Sequence, residues 1–411
     1  PPRSTLFPYT TLFRSASWGS IGNDSQLNAS QFVSGWQFED RFILGGAGNS
    51  SASITNGMKE ANLANPNITW YKVMTTNVGL DGSFWGGKLS FEFDYFYRKT
   101  TGYPATRNTS LPTTSGIPLP QENLNSSDNR GFELSLGTVQ RIGNVNLQIK
   151  GNVAYAREKD LYKEQALPLN QYKNWRDNGA YRWKNVTWGY EHIGQFQSYD
   201  EIYNSPIQDG KGNSSLRPGD IKYKDLNGDG LIDANDEKVI GKGTFPDLNF
   251  GLTLAADWKG FDVNILFQGA SNYTQVLNAL TSPFRGPGEG NGFRVWMDSW
   301  HKADYNDPDS EWVPGKFPSL RIEGNDNNSK KSTYWTTDAY YVRLKSIEIG
   351  YTIPKNLLSK VGIEHLRVYA NAYNPLTITN VKYTDPEAIE GWQSFYYPQL
   401  KVYSFGVNVS F

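Results

Sequence analysis

Cysteine is absent from the 411 residues. That rules out disulfides, thiolate metal sites and thiol catalysis, and it suits an envelope protein that does without cross-links. Histidine is almost as scarce. His192, His301 and His365 are the three in the chain, with no H-E-x-x-H or i, i+4 pair, so they read as lone surface or interfacial residues. Charge of one sign is missing too: 40 Lys and Arg stand against 41 Asp and Glu, a net charge of −1. Without a basic block, nucleic acid is not an expected partner. No apolar run approaches the ~20 residues of a spanning helix. No Ser-His-Asp order, Walker loop, G-x-G-x-x-G or conspicuous carboxylate pair is present.

What is abundant is aromatic residues, at 14%, and alternation. Leu248, Phe250, Leu252, Leu254, Ala256 and Trp258 are apolar, with polar or small residues between them. After Lys259-Gly260 the pattern resumes with Phe261, Val263, Ile265 and Phe267. Period two predicts strands, and the two-residue break carrying Gly predicts a hairpin. Each strand runs to about ten residues, longer than the usual five or six and close to the ~9–11 that cross a bilayer as a tilted strand. Low average hydropathy is no objection, since barrel strands put only alternate residues into lipid.

The same pattern recurs along the chain. Leu89, Phe91, Phe93, Tyr95 and Tyr97 share a face, as do Val145, Leu147, Ile149, Val153 and Tyr155, and Tyr403, Phe405, Val407, Val409 and Phe411. Trp36–Leu44 and Leu366–Tyr373 read as further strands. A phase change between Tyr340, Val342, Leu344 and Ile347, Ile349, Tyr351 predicts a bulge near Lys345-Ser346. Gly45–Asn56 reads as loop, Met58–Leu63 as a short helix, and Thr100–Asn129 as a long loop. Connections alternate between tight, at Gly86-Gly87, Gly143-Asn144 and Lys259-Gly260, and tens of residues long, at Lys159–Asp247 and Asn272–Thr333. Outer-membrane barrels have this lopsided pattern. The expected fold is all-β, a transmembrane antiparallel β-barrel with long extracellular loops, integral to a bacterial outer membrane and in contact with its lipid.

Two sets of residues are candidate sites. Asp225, Asn227, Asp229 and Gly230 fit D-x-[DN]-x-[DN]-G, with Asp233 at position nine and Asp236 at position twelve. Alternate hard oxygens on a tight loop suit Ca²⁺ in a structural role, the Leu231 carbonyl supplying position seven and Ile232 pointing inward as an anchor. Asp236 is shorter than the usual Glu, and the alternative is a metal-free Asn/Gly/Asp turn. Trp175, Trp183, Trp188 and Tyr190, in the longest insertion, are candidates for stacking on sugar or packing on peptide, against the plainer role of cementing their own loops. Pro1–Ser15 (PPRSTLFPYTTLFRS) resembles translated sequencing-adapter read-through and is set apart as a non-native artefact; a short edge strand through Leu6 and Tyr9 is the structural alternative. No signal peptide is visible, so a fragment of an exported protein is expected.

Several stretches, taken in order over about Ala16 to Phe411, resemble signatures of the SusC/RagA-type TonB-dependent outer-membrane transporters. They include Asn77-Val78-Gly79-Leu80-Asp81, Asn129-Arg130-Gly131-Phe132, Pro218-Gly219-Asp220-Ile221, the Asp225 loop, Tyr341-Val342-Arg343-Leu344, Asp385-Pro386-Glu387 and the terminal Phe411. The resemblance implies the C-terminal half of a barrel of about 22 strands, residues 16–411, without the plug domain. It also implies import of oligosaccharide or peptide, a SusD-like lipoprotein lid, energy from TonB-ExbB-ExbD, and no catalysis. The rival expectations are a secreted β-sandwich carbohydrate-binding module with a dockerin-like calcium loop, and a secreted glycoside hydrolase.

Overall fold

The computed structural model describes residues 11–27, 29–32, 35–44, 53–60, 63–107, 119–166, 168–277, 280, 292–321, 326–358, 362–388, 397 and 399–411. Ten strands form one antiparallel sheet in which chain neighbours are also spatial neighbours. They are β1 (Thr11–Asn23), β2 (Tyr71–Phe84), β3 (Leu89–Thr106), β4 (Gln121–Ile142), β5 (Val145–Tyr162), β6 (Leu248–Trp258), β7 (Phe261–Val276), β8 (Thr336–Thr352), β9 (His365–Thr379) and β10 (Val402–Ser410). This is an up-and-down meander, the connectivity of a barrel wall.

Register carries the alternation from strand to strand. Phe250 stands opposite Val153 on one side and Gly269 on the other, and Leu252 stands opposite Gly151 and Phe267. Directly opposed residues point to the same face. One face therefore gathers Leu80, Phe93, Leu134, Val153, Phe250, Ile349, Val368 and Val407. The other carries Glu92, Asp94, Glu133, Lys150, Asp257, Asp262, Glu348 and Arg367. At the Lys259-Gly260 turn both residues have positive φ, 48° and 88°, the I′ geometry whose twist matches the strands it joins. A Cβ on Gly269 would collide with the Phe250 ring, so glycine there lets the aromatic lie flat along the sheet.

None of the described residues covers the apolar face. Val78 and Ile349 are each 50% exposed and Phe405 is 85% exposed. Aromatic rows bound the face. Near the tight turns Trp258, Phe261 and Tyr351 form a chain of ring contacts; near the long loops Phe93, Phe132 and Tyr155 do the same. Leu248 shares the row of Tyr155, and Trp258 lies ten residues on (258 − 248). At about 3.3 Å per residue and a tilt near 40°, the rows are about 25 Å apart along a membrane normal, the height of an outer-membrane barrel's apolar band. Between these rows β2 to β10 place no Asp, Glu, Lys or Arg on that face. The fold is thus the expected all-β transmembrane wall. A sandwich would need a second sheet on this face, and among the described residues there is none.

Several expectations fail for identifiable reasons. The helix expected over Met58–Leu63 is not found among the described residues: Ser53–Glu60 is a strand paired with Trp36–Leu44, hairpin pairing having overridden a weak helical preference, and 61–62 lie outside the described residues. The loop expected over Gly45–Asn56 therefore ends by Ser53, and 45–52 lie outside the described residues. The loop expected over Thr100–Asn129 is mostly strand, since β3 runs to Thr106 and β4 begins at Gln121. β7 likewise continues to Val276. Hydrophobic alternation marks only the part of a strand that lies in lipid, while the ladder continues beyond it with polar residues. The bulge is where the phase change placed it, between Leu344 and Ser346. Leu6 and Tyr9 lie outside the described residues. Thr11–Ser15 pair with Ser83–Gly79, and Arg14 falls opposite Leu80, on the apolar face.

Leu252 lies midway along β6, with Thr253 on the opposite face. In detergent- or lipid-held full-length protein, Leu252→Arg is expected to cost about 2–4 kcal/mol in chemical denaturation, and Thr253→Arg less than about 1 kcal/mol.

Candidate functional site

Buried cores lie at the long-loop end. Tyr190, Ile221, Tyr223, Ile232, Trp296, Phe317 and Trp335 make one cluster. Lacking a large sheet of their own, the loops satisfy their buried main chain with two-stranded ladders and amides. Val186–Tyr190 pairs with Glu237–Lys242, and His192–Gln195 with Ile221–Tyr223. The Gln208 amide donates to the Ile221 carbonyl at 2.6 Å and to Asn327 Oδ1 at 2.9 Å. Asn328 accepts from the Ile221 amide at 2.9 Å and donates to Asp220 at 2.8 Å. Asp220 is wholly buried and ion-paired with Arg321. Burial pushes its carboxyl up, and Arg321 opposes that.

Two cavities open among these loops. The first, about 1010 Å³, is lined by Trp175, Tyr181, Trp183 and Trp188 together with Arg157, Arg176 and Arg182. Trp175 sits on the helix Gln171–Asp177, whose start is fixed by Asn170 accepting from the Lys173 amide at 2.8 Å. Arg182 lies over the Trp188 ring at 5.6 Å and Arg157 over Trp183 at 4.3 Å. The second, about 1140 Å³, is lined by Tyr190, Asp209, Arg217, Asp233, Arg321 and Lys330, among others. Three of the four aromatics expected at a binding site thus share a cavity, and Tyr190 belongs to the other. Tyr190 is mostly core, and burial pushes its hydroxyl up to about 12. Lys330 Nζ donates to the Gln208 carbonyl at 2.8 Å and lies 5.1 Å from the centre of the Tyr190 ring.

The Asp225 loop forms the edge of the second cavity, through Ile232 and Asp233. It folds on itself. Asp225 accepts from the amides of Gly228 and Gly230, Asn227 from Asp229, and Asp229 from Leu231. Gly228 and Gly230 have positive φ, 75° and 80°. Ile232 is buried, as anchoring requires. Asp236 is also fully buried, and its two oxygens accept from the amides of Leu226 and Asp233, at 2.7 and 2.9 Å. It is therefore the reciprocal partner, at the third position, of the capping box that Asp233 opens on the Ala234–Asp236 turn. Asp225, Asn227, Asp229 and Asp233 keep free lone pairs, so the donor chemistry suits a hard cation. Among the described residues no three carboxylates or histidines gather round one point.

The histidines are apart. His192 packs edge-on to Tyr334, His301 stacks on Tyr305, and His365 opens β9. Arg217, Arg321, Asp209 and Lys330 were not singled out from sequence. In a polar loop they look like solvated residues, and only the Pro218-Gly219-Asp220-Ile221 stretch marked the place.

No protein-family model matches the chain. It is 28% identical to TonB-dependent receptor P3 of Formosa agariphila, over 96% of this chain and 39% of that protein. It is 24% identical to TonB-dependent receptor SusC of Bacteroides thetaiotaomicron, over 84% and 32%. The chain is a relative of the SusC-type TonB-dependent receptors. It spans about two fifths of the length of the first relatives. In fold it matches the RagAB peptide transporter with a TM-score of 0.62, covering 97% of this chain and 40% of that one at 21% identity. The open-open state of the RagAB peptide importer gives 0.65. These relatives are named as receptors and transporters.

The resemblance signatures have physical roles here. Gly219 has φ +91° and presses against the Trp300 side chain, where a Cβ would clash. Arg343 is 2% exposed and joins two signatures, donating to Glu387 at 2.9 Å and to Asp385 at 3.0 and 3.1 Å.

Asp209 gives a pH test. Burial raises its carboxyl, but donors outweigh that: the Ser215 hydroxyl and amide, then the amides of Lys211 and Asn213, hold it at about 2. A depressed carboxyl stabilises the fold above its unfolded pKa and loses that contribution as pH falls through the folded one. The melting-temperature gap between wild type and Asp209→Asn is expected to shrink as pH drops from about 4 to about 2.

Proposed function

We propose that this chain is the barrel-wall and loop portion of an outer-membrane importer that takes up oligosaccharide or peptide. One observation carries the reading: an apolar face, left uncovered by the described residues and bounded by aromatic rows, backs a polar face, and the loops beyond the upper row enclose two large cavities. A face of that size needs lipid, and cavities beyond it on the loop side are placed to take solutes before they cross. In this reading a SusD-like lipoprotein closes over the loops, TonB-ExbB-ExbD supplies the energy, and further strands of the full-length protein satisfy the outer edges of β1 and β10. The names of the SusC and RagAB relatives support it. We read residues 1–15 as foreign sequence, since Arg14 would otherwise hold a charge in lipid.

The first cavity offers aromatic faces to sugar rings, and the second offers opposed charges to a peptide. Trp175→Ala and Trp188→Ala in the full-length importer are expected each to weaken binding of an oligosaccharide cargo about fivefold, roughly 1 kcal/mol, measured by calorimetry. If only peptides bind, and these variants bind them normally, the first cavity is not the cargo site.

Within this reading the Asp225 loop holds Ca²⁺ as a structural ion, with Asp225, Asn227, Asp229, Asp233 and the Leu231 carbonyl as donors and Asp236 fixing the loop behind them. Chelation is expected to lower the melting temperature of wild type and to leave Asp229→Ala unmoved. Equal shifts in both would remove calcium from this loop.

A further inference from the structure

The apolar face does not end at its upper aromatic row. The row Tyr95, Phe132, Tyr155 is followed by Tyr97, Arg130, Arg157, and that by Lys99, Asp128, Lys159. Lys159 in turn bridges to Trp183. Opposed residues share a face, so these side chains emerge on the lipid side, two and four positions beyond the ring of aromatics. Side-chain contacts agree. The Arg157 guanidinium lies 4.3 Å over the Trp183 ring and that of Arg130 5.4 Å, while the Lys159 ammonium is 5.7 Å from Trp183 and 5.5 Å from Tyr181.

Charge there is unbalanced. Asp128 is buried beneath Arg130 at 2.8 Å and accepts from the Tyr97 hydroxyl at 3.3 Å; Asp247 meets Arg157 at 3.4 Å. Two carboxylates thus face four cations: Lys99, Arg130, Arg157 and Lys159. Among the described residues Lys159 has no carboxylate within ion-pair reach, and Arg157 meets Asp247 through its buried Nε. A face free of charge for about 25 Å turns cationic within one row of its aromatic boundary. That is the depth at which a bilayer places its phosphates.

We propose that Arg130, Arg157 and Lys159, propped by Trp183, form a cradle for the phosphorylated headgroup of an anionic lipid in the outer leaflet. Guanidinium forks match phosphate oxygens, and cations at this depth are favoured by anionic lipid. Trp183 lies within 4.3 Å of the Arg157 guanidinium and 5.4 Å of that of Arg130, and it shares with Arg157 the wall of the first cavity, so the cradle stands at the outer side of that wall. The proposal rests on the reading that the apolar face lies in a membrane.

The test is native mass spectrometry of the delipidated full-length protein, titrated with phosphatidylglycerol or phosphatidylcholine. Wild type is expected to retain phosphatidylglycerol preferentially. Arg157→Gln with Lys159→Gln is expected to weaken that retention at least tenfold, at about fivefold per charge removed. Lys150→Gln, on the polar face, is expected to leave it unchanged and serves with circular dichroism as the folding control. Equal retention by the double variant would overturn the cradle, as would displacement by inorganic phosphate at matching concentration, or a change in oligomeric state in place of lipid loss. Should the protein stay monomeric in buffer without detergent, the membrane reading itself fails; insertion without lipid preference fails the cradle alone.

Discussion

Main-chain hydrogen bonding in a medium without water governs this structure. A strand crossing hydrocarbon must give every N–H and C=O a partner, and only pairing with its neighbours does so. Antiparallel pairing without slippage then makes period two in one strand the same period two in the next. A slip of one residue would turn each apolar set towards the wet side. The bulge at Lys345 shows how tightly the sheet holds to this. The apolar residues change parity there, and the extra residue restores them to the common face.

Above the lipid the constraint relaxes and the chemistry changes. Strands continue with polar residues, and the loops fold on buried amides and ion pairs. Arg343 ties the Asp385–Glu387 segment to the polar face of β8, the Tyr273 hydroxyl donates to the Pro386 carbonyl at 2.7 Å, and the Gln275 amide donates to the Asp385 carbonyl at 3.0 Å. Such networks cost much when broken, so they fix the Asp385–Glu387 segment against the sheet. The two regions divide accordingly, into an apolar exterior that suits lipid and a polar, aromatic, densely bonded loop end.

The lipid-spanning part was legible because alternation is a local signal: Leu248–Trp258, the Lys259-Gly260 turn, the Lys345 bulge and the final strand all show it. The full lengths of β3 and β4 were not, because beyond Tyr97 and before Phe132 nothing alternates although the ladder persists. At the site, the loop of Asp225 and the inward Ile232 were readable from spacing. The capping role of Asp236 was not, because it depends on the amides of Leu226 and Asp233 coming together in space. That Tyr190 would part from Trp175, Trp183 and Trp188 depends on how the loops pack, and no local pattern records it. Arg217 and Arg321 were missed because a buried arginine and a solvated one have the same surroundings in sequence.

The most direct measurement is collision accessibility of spin labels placed one at a time from Leu248 to Trp258 in full-length protein reconstituted into lipid. Labels at even positions should be relaxed by oxygen dissolved in the bilayer and those at odd positions by a water-soluble nickel complex, the two profiles alternating out of phase along the strand. Uniform access to the nickel complex, or alternation confined to one end of the strand, would contradict a lipid-spanning wall.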